Sequence, residues 1–226
     1  EARPVLQGVL MNVSGNEVTL AATDGFRISV RKAALSNAAA RPMTAIIPAR
    51  ALSELARIAT DGNQSVTMIL PPSRGQVLFH LKDAELVSQL IDGNFPDYKV
   101  IIPRQFATHT IVSTSAFLKA CKQTEIIARE GNNVVRLTVT PGESGPGNVQ
   151  ISAQTEETGS GDVEMDATVE GKPIVIAFNV RFLREVLDVI RTPTVSLDTN
   201  TNATPALLKP VGDDNFQHVI MPMHLG

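Results

Sequence analysis

An α+β fold follows from three features of the sequence. Short β-branched and apolar runs, most of them bounded by Gly, Pro, Asn or Asp, recur along the whole chain as strands do. Only three windows, 49–59, 113–130 and 179–191, set apolar residues at helical spacing. Each window follows a strand signal and is followed by further strands, so helices and strands are interspersed in unequal number.

Val5-Leu6 and Val9-Leu10 flank Gly8 and read as strand, Ser14-Gly15-Asn16 as a hairpin turn, and Val18–Ala22 as the returning strand. Thr23-Asp24-Gly25 turns again, and Arg27–Val30 alternates polar and apolar as a half-buried strand does. Residues 31–44 read as a loop, and Ala45–Ile47 as a short strand stopped by Pro48. Pro48 suits the front of a helix, where a missing N–H costs little. That helix carries Leu52, Leu55, Ala56 and Ile58-Ala59 on one side and ends at Asp61-Gly62-Asn63. Val66–Leu70, Gln76–Leu81 and Glu85–Leu90 read as three strands, joined through Pro71–Gly75 and Lys82-Asp83.

The stretch Leu90–Pro103 divides the chain. Asp92-Gly93-Asn94 is turn chemistry, Phe95 is pushed towards extended backbone by Pro96, and Val100-Ile101-Ile102 reads as a strand stopped by Pro103. Beyond it, Thr108–Val112 is a strand. Ser113 or Ser115 then caps a helix with Phe117, Ala120-Cys121, Thr124 and Ile127-Ala128 on one face. Val134–Val139 and Val149–Ala153 flank a Gly- and Pro-rich loop at Thr140–Asn148, and Thr155–Gly161 is polar and expected to be mobile. Val163–Val169 and Ile174–Phe178 are strands, and Asn179 caps a helix through Ile190. Thr194–Leu197, Ala206–Lys209 and His218–Met223 close the count.

Arg50, Leu52 and Glu54 recur as Arg181, Leu183 and Glu185, an offset of 131 residues. With that offset, the helix at 113–129 would have its counterpart before Glu1. The expectation is therefore two repeated domains, 1–103 and 104–226, with the first lacking its opening strand and helix, as a fragment would.

A length of 226 residues with 43% hydrophobic and 19% charged residues suits one large or two ordinary globular domains. No apolar run approaches the roughly 20 residues of a membrane helix, and no basic-then-apolar leader opens the chain. The single Cys121 excludes an internal disulfide and a cysteine-based zinc cluster, and an intracellular protein is expected. A net charge of −3 argues against a strongly basic nucleic-acid binder in bulk. The charge is segregated, however. The three helical windows carry eight cations against five carboxylates, which leaves −6 for the remainder. Mixed charge on solvated helix faces explains so small an excess. So does a shared helical surface facing a polyanion, with Arg50, Arg57, Lys119, Lys122, Arg181 and Arg184 as the candidates.

Signatures of catalysis are missing from the sequence. There is no phosphate loop, no H-E-x-x-H and no nucleophile elbow. His80, His109, His218 and His224 lack metal-ligand spacing, Asp24-Gly25 and Asp92-Gly93 are better explained as turns, and Gly159-x-Gly161 lacks a third glycine. Asn12-Val13-Ser14 is a glycosylation sequon by letter only. No catalytic residue, metal ligand or cofactor is expected. The rival is an α+β enzyme or small-molecule-binding domain with its site in loops 31–44 or 140–162.

Five stretches, in this order and spacing, resemble the bacterial DNA sliding clamps, the beta subunits of DNA polymerase III. They are ATDGFRISV at 22–30, LIDGNFPDYKVIIP at 90–103, FLKACKQTEIIAREGNNVVRL at 117–137, IAFNVRFLREVLDVI at 176–190 and VIMPMHL at 219–225. The resemblance implies domains of antiparallel sheets outside with helices on the inner face, three to a subunit. Two full-length subunits would close as a homodimeric ring around duplex DNA of any sequence. This chain would hold most of the middle domain and all of the last. The function implied is a non-enzymatic, cytoplasmic processivity factor.

The resemblance also implies a hydrophobic peptide pocket at the junction of the middle and last domains, used by the replicative polymerase catalytic subunit, the clamp loader and other proteins with a short clamp-binding motif. The matching positions are Leu6, Thr23, Gly25, Phe26, Arg27, Ile28, Pro96, Val100, Ile101, Val219, Ile220, Met221, Pro222 and Met223. Phe26 stands where the family often has His, Val100 where a basic residue is frequent, and His224 where Arg is frequent. A less basic rim would alter the preferred motif. Ile126 and Ile127 fall where one subunit would meet the next.

Overall fold

The computed structural model describes residues 3–60, 62, 65–71, 75–155 and 159–224. The backbone groups into two compact units, residues 1–25 with 30–97, and residues 26–29 with 98–226. The expected turns at Asp61–Asn63 and Pro71–Gly75, and the centre of the polar segment Thr155–Gly161, lie largely outside the described residues.

In the first unit, a 3-10 turn at Pro4–Gln7 precedes β1 (Gly8–Ser14). There β2 (Glu17–Thr23), β3 (Arg27–Ala34) and β4 (Met43–Pro48) complete a sheet of order β3-β2-β1-β4. Ser14 faces Glu17, so Gly15-Asn16 is a two-residue hairpin loop, and Gly15 takes a φ of 58° that glycine tolerates at no steric cost. Then α1 (Ala49–Ile58) starts directly behind Pro48. The hairpins of β5 (Thr67–Ile69), β6 (Gln76–His80) and β7 (Glu85–Gln89) make a separate three-stranded antiparallel sheet. Met11, Val13, Ala45 and Ile47 of one sheet and Val77, Phe79 and Leu81 of the β6 region form the core, with Leu52, Leu55 and Ile58 of α1 packed on it.

The second unit opens with β8 (Thr108–Ser113) and α2 (Thr114–Ala128). Ser113 Oγ accepts from the Ala116 N–H at 3.4 Å, which settles the cap. The predicted face of α2 is inside: Phe117, Ala120, Cys121, Thr124 and Ala128 are all buried. After the helix, Asn132 and Asn133 each take a φ of 59°, a region that asparagine enters more readily than most residues, and the Asn133 N–H donates back to Ala128 O at 2.8 Å. The sheet continues with β9 (Val134–Thr140), β10 (Gly147–Thr155), β11 (Gly159–Gly171) and β12 (Ile174–Asn179). Asn179 Oδ1 accepts from the Arg181 N–H at 3.0 Å to start α3 (Val180–Val189). Last come β13 (Thr194–Thr199), β14 (Ala206–Pro210) and β15 (Phe216–Ile220). Strand order is β12-β9-β10-β11-β8-β13-β14-β15, antiparallel throughout. Past β15, the Met223 N–H donates to Ala177 O at 2.8 Å, so the tail returns to β12 at the far end of the same sheet.

The repeat is structural. β4 and β12 begin at 43 and 174, α1 and α3 at 49 and 180, and β7 and β15 at 85 and 216, each pair 131 residues apart. What differs is β8 and α2. In the second unit β8 joins β11 to β13. Among the described residues of the first unit no strand stands between the counterparts β3 and β5, and the sheet is in two pieces. The helices register the difference. Val180, Leu183, Val186 and Leu187 of α3 are buried, whereas α1 has no buried residue.

Three local expectations are corrected. Val5-Leu6 belongs to the 3-10 turn, not to a strand. The loop expected over 31–44 is shorter, because β3 runs on to Ala34 and β4 starts at Met43. The strand expected at Val100–Ile102 is a 3-10 turn at Tyr98–Val100, closed by the Ile101 N–H on Tyr98 O at 3.1 Å. β propensity expresses packing against neighbouring strands. Among the described residues no strand flanks this run, and Val100 is 77% exposed. Tyr98, by contrast, is buried and anchors the turn.

Candidate partner-binding surface and basic helix face

Residues 26–29 group with the second unit, and they meet the chain's tail there. Phe26 O accepts from the Met221 N–H at 2.9 Å, and Ser29 Oγ lies 2.8 Å from His218 Nδ1. This places Phe26, 61% exposed, beside Met221, 37% exposed. Ile28, Val219 and Ile220 are buried, so they support this surface and do not line it. Pro222 and Met223 are half-buried. Val100 and Ile101 are exposed at the 3-10 turn of the same unit. Of the remaining expected pocket positions, all in the first unit, Leu6 and Thr23 are half-buried, and Gly25 and Pro96 exposed. Gly25 has a φ of 92°, and its N–H donates to Thr23 Oγ1 at 3.1 Å, which builds the turn before Phe26.

Arg27 is folded down onto α3. Its Nη1 is 2.6 Å from Glu185 Oε2, and its guanidinium carbon sits 4.2 Å from the centre of the Phe182 ring. Sequence reasoning missed both α3 residues as members of this site. A signal existed: Glu185 is the repeat counterpart of Glu54, which pairs with Arg57 three residues on, at 2.6 Å. The counterpart of Arg57 is Asp188, so Glu185 has no cation at that spacing on its own helix.

The six cations expected to face a polyanion fall into two sets. Arg57 is bonded to Glu54, Lys122 Nζ lies 3.2 Å from Asp188, and Arg184 Nε lies 2.8 Å from Glu125 with Nη1 3.5 Å from Asp188. The Arg184 Nε contact is an ion pair without an aimed N–H, because that N–H has no hydrogen-bond partner. Glu125 is buried, so Arg184 serves first to neutralise it. The Arg57 guanidinium beside Glu54 holds that carboxyl below its usual range. Arg50, Lys119 and Arg181 are exposed and make no ion pair among the described residues.

Ile126 is 70% exposed on α2, while Ile127 is half-buried and lies against Gly161, where an added Cβ would stand 2.6 Å from Ile127 Cδ1. β11 pairs with β10 from Gly159 to Ala167 but with β8 only from Ala167 to Gly171. Residues 159–166 therefore have one edge that meets no strand among the described residues.

Two concavities border the loops that the rival reading names. One, of 540 Å³, is walled by Leu35, Ala39, Arg41, Met43, Val66 and Met68, among others. The other, of 470 Å³, is walled by Arg136, Gln150, Gln154 and Asp162, among others. Among the described residues neither lining holds a histidine or cysteine, and the first holds no carboxylate. His109 does contact Asp198, a buried carboxylate directly opposite it in register, with Lys209 Nζ 4.0 Å away. That is a cross-strand hydrogen-bonded pair, with Lys209 as the cation beside the buried carboxylate. No three His, Cys, Asp or Glu side chains cluster among the described residues, and no helix among them is long and apolar enough to cross a membrane.

The repeated strand and helix order, with antiparallel sheets carrying helices on one face, defines the fold class of the DNA clamps. Residues 1–97 match the family model for the central domain of the DNA polymerase III beta subunit, and residues 99–224 that for its C-terminal domain. The chain belongs to the DNA polymerase III beta subunit family. It is 32% identical over 228 residues to the beta sliding clamp of Synechococcus elongatus and 33% identical over 225 residues to that of Bacillus subtilis. It spans 60% and 58% of those relatives' lengths, while they cover 100% and 99% of it. Among solved structures, the Bacillus subtilis sliding clamp superposes with a TM-score of 0.93 at 32% identity, over 100% of this chain and 58% of that one. The Pseudomonas aeruginosa sliding clamp, solved with a ligand, gives 0.91 at 27% identity over 100% of this chain and 60% of that one.

Proposed function

We propose that this chain is most of the middle domain and the whole last domain, with a boundary near Pro103, of a cytoplasmic processivity clamp. The whole protein encircles duplex DNA as a homodimer and tethers the replicative polymerase, the clamp loader and other motif-bearing proteins through short peptides. Such a tether does no chemistry. It acts by raising effective concentration, turning each rebinding into an intramolecular event. Arg50, Lys119 and Arg181 face the phosphates without regard to sequence. Ile126, with Ile127 behind it and the unpaired edge of β11 beside it, forms the subunit contact, where strand addition would satisfy the open backbone groups.

The observation that carries the reading is the Phe26–Met221 edge of the second unit. In a chain of this family, two exposed apolar side chains are held side by side by a backbone hydrogen bond. An apolar peptide anchor gains by covering them, and methionine adapts to varied partners. The test is fluorescence anisotropy with a labelled pentapeptide containing Gln and Leu. Met221→Ala together with Phe26→Ala is expected to weaken binding at least about tenfold, the scale of one good anchor. An unchanged affinity would refute the docking surface. Saturable, salt-resistant binding of a small metabolite in the 35–43 concavity would instead favour the rival.

A further inference from the structure

We propose that Asp188 limits how firmly the helix face of the second unit holds a polyanion. It does so by occupying Lys122 and by setting a negative charge among the cations of α2 and α3. The inference rests on the reading that this face meets DNA phosphates, and it adds a residue that works against that contact.

The cations concerned lie in two rows. On α2, Lys119 and Lys122 are three residues apart and share one side of the helix. On α3, Arg181, Arg184 and Asp188 follow at spacings of three and four, with Arg191 three residues further on, past the helix end. One position of this second row is therefore a carboxylate. In the first unit the same repeat position, 131 residues earlier, is Arg57. The exchange puts an anion where the other repeat has a cation.

Three cations use Asp188, and they depend on it unequally. Its Oδ1 accepts from Lys122 Nζ at 3.2 Å, its Oδ2 lies 3.5 Å from Arg184 Nη1, and its backbone O accepts from Arg191 Nη1 at 2.9 Å. Arg184 Nε also lies 2.8 Å from buried Glu125, so Arg184 keeps a counter-charge without Asp188. Arg191 is held by a peptide oxygen that any residue at 188 would supply. Lys122 makes no other ion pair among the described residues. The Lys122 and Asp188 side chains are 53% and 38% exposed, so the pair lies within reach of a phosphate. A phosphate that approaches Lys122 has to displace Asp188 and then stand beside its charge, well inside the Debye length of about 10 Å at 0.1 M salt. A surface along which duplex has to run gains from such a restraint, because each phosphate contact withheld is one fewer to break.

The experiment follows binding of this chain to a short fluorescein-labelled duplex by anisotropy across a salt series. Wild type is compared with Asp188→Asn, Asp188→Glu, Asp188→Asn with Lys122→Ala, and Asp166→Asn. The last is a charge control: Met165 and Ala167 on either side of Asp166 are buried in the core with Phe117 of α2, so Asp166 points to the opposite face of the sheet. Release of Lys122 in Asp188→Asn is expected to steepen the log–log salt slope by about 1, which is about a threefold greater loss of affinity on raising salt from 50 to 200 mM. Asp188→Glu and Asp166→Asn should keep the wild-type slope, and adding Lys122→Ala should cancel the gain. The slope is a ratio of affinities, so an inactive fraction of a destabilised variant does not enter it. A slope unchanged in Asp188→Asn, raised equally by Asp166→Asn or Asp188→Glu, or still raised after Lys122→Ala overturns the role of Asp188. Absence of salt-sensitive binding by both wild type and Asp188→Asn overturns the DNA-facing reading itself.

Discussion

Leu52 and Leu183 are the same residue at the same place in the two repeats, 131 positions apart, and their surroundings differ in one respect. Leu183 lies on α3 beneath α2 and is fully buried, whereas Leu52 lies on α1, where no counterpart of α2 covers it among the described residues. Truncating a fully buried leucine to alanine removes its transfer energy and leaves a cavity, together about 3 kcal/mol in a well-packed core. At Leu52 part of the side chain already faces water and the site can relax, so the cost is about 1 kcal/mol. Urea unfolding followed by circular dichroism separates the two. With a slope of about 1.5 kcal/mol/M for a unit of this size, Leu183→Ala shifts the midpoint of its transition by about 2 M and Leu52→Ala by about 0.7 M. If the units unfold in separate transitions, each variant moves only its own. Equal shifts, or a larger one for Leu52→Ala, would refute the claim that α2 is what buries α3 and that α1 lacks its equivalent.

Binding to a short DNA duplex, measured against salt, should distinguish the two sets of cations. Replacing Arg50, Lys119 and Arg181 with alanine is expected to lower the log–log salt slope by about 2–3, whereas Arg57→Ala with Lys122→Ala, already ion-paired, lowers it by less than about 1. Burial pushes the Cys121 thiol well above its usual range, with Glu125 adding to the effect. In the unfolded chain that thiol ionises near about 8.5. Its raised folded pKa means its contribution to stability is intact below that pH and falls above it, by up to about 1.4 kcal/mol per pH unit. Alkaline unfolding curves of Cys121→Ala should therefore be flatter than those of wild type, and parallel curves would contradict the burial argument.

Much of this architecture was legible because its causes are local. Gly15-Asn16 reads as a turn, Ser113 and Asn179 offer their side chains to the first free N–H groups of α2 and α3, and three matched letters found a repeat whose offset the starts of β4 and β12, α1 and α3, and β7 and β15 keep. What escaped depended on neighbours far along the chain. Val100–Ile102 has the composition of a strand and no strand to pair with. Arg27 was legible as a candidate residue, but Phe182 and Glu185, which it contacts, are more than 150 positions away, and only the exchange of Arg57 for Asp188 between repeats hinted that Glu185 was available. The excess positive charge on the helices was countable, yet which cations are already neutralised depends on how α2 and α3 approach each other.

The return of the tail to β12 has a consequence for how freely this surface can change. Met221 presents its side chain at the exposed edge, and two residues later the Met223 N–H fastens the end of the chain to Ala177. On the proposed reading, peptide recognition and sheet closure share one short segment. By thermodynamic linkage, a peptide that grips this segment stabilises the closed sheet by the same free energy with which the closed sheet favours the peptide. Mutations that loosen the last few residues should then weaken partners they never touch. A partner bound here would in turn clamp the second unit shut, and its melting temperature would report occupancy without any label on the ligand.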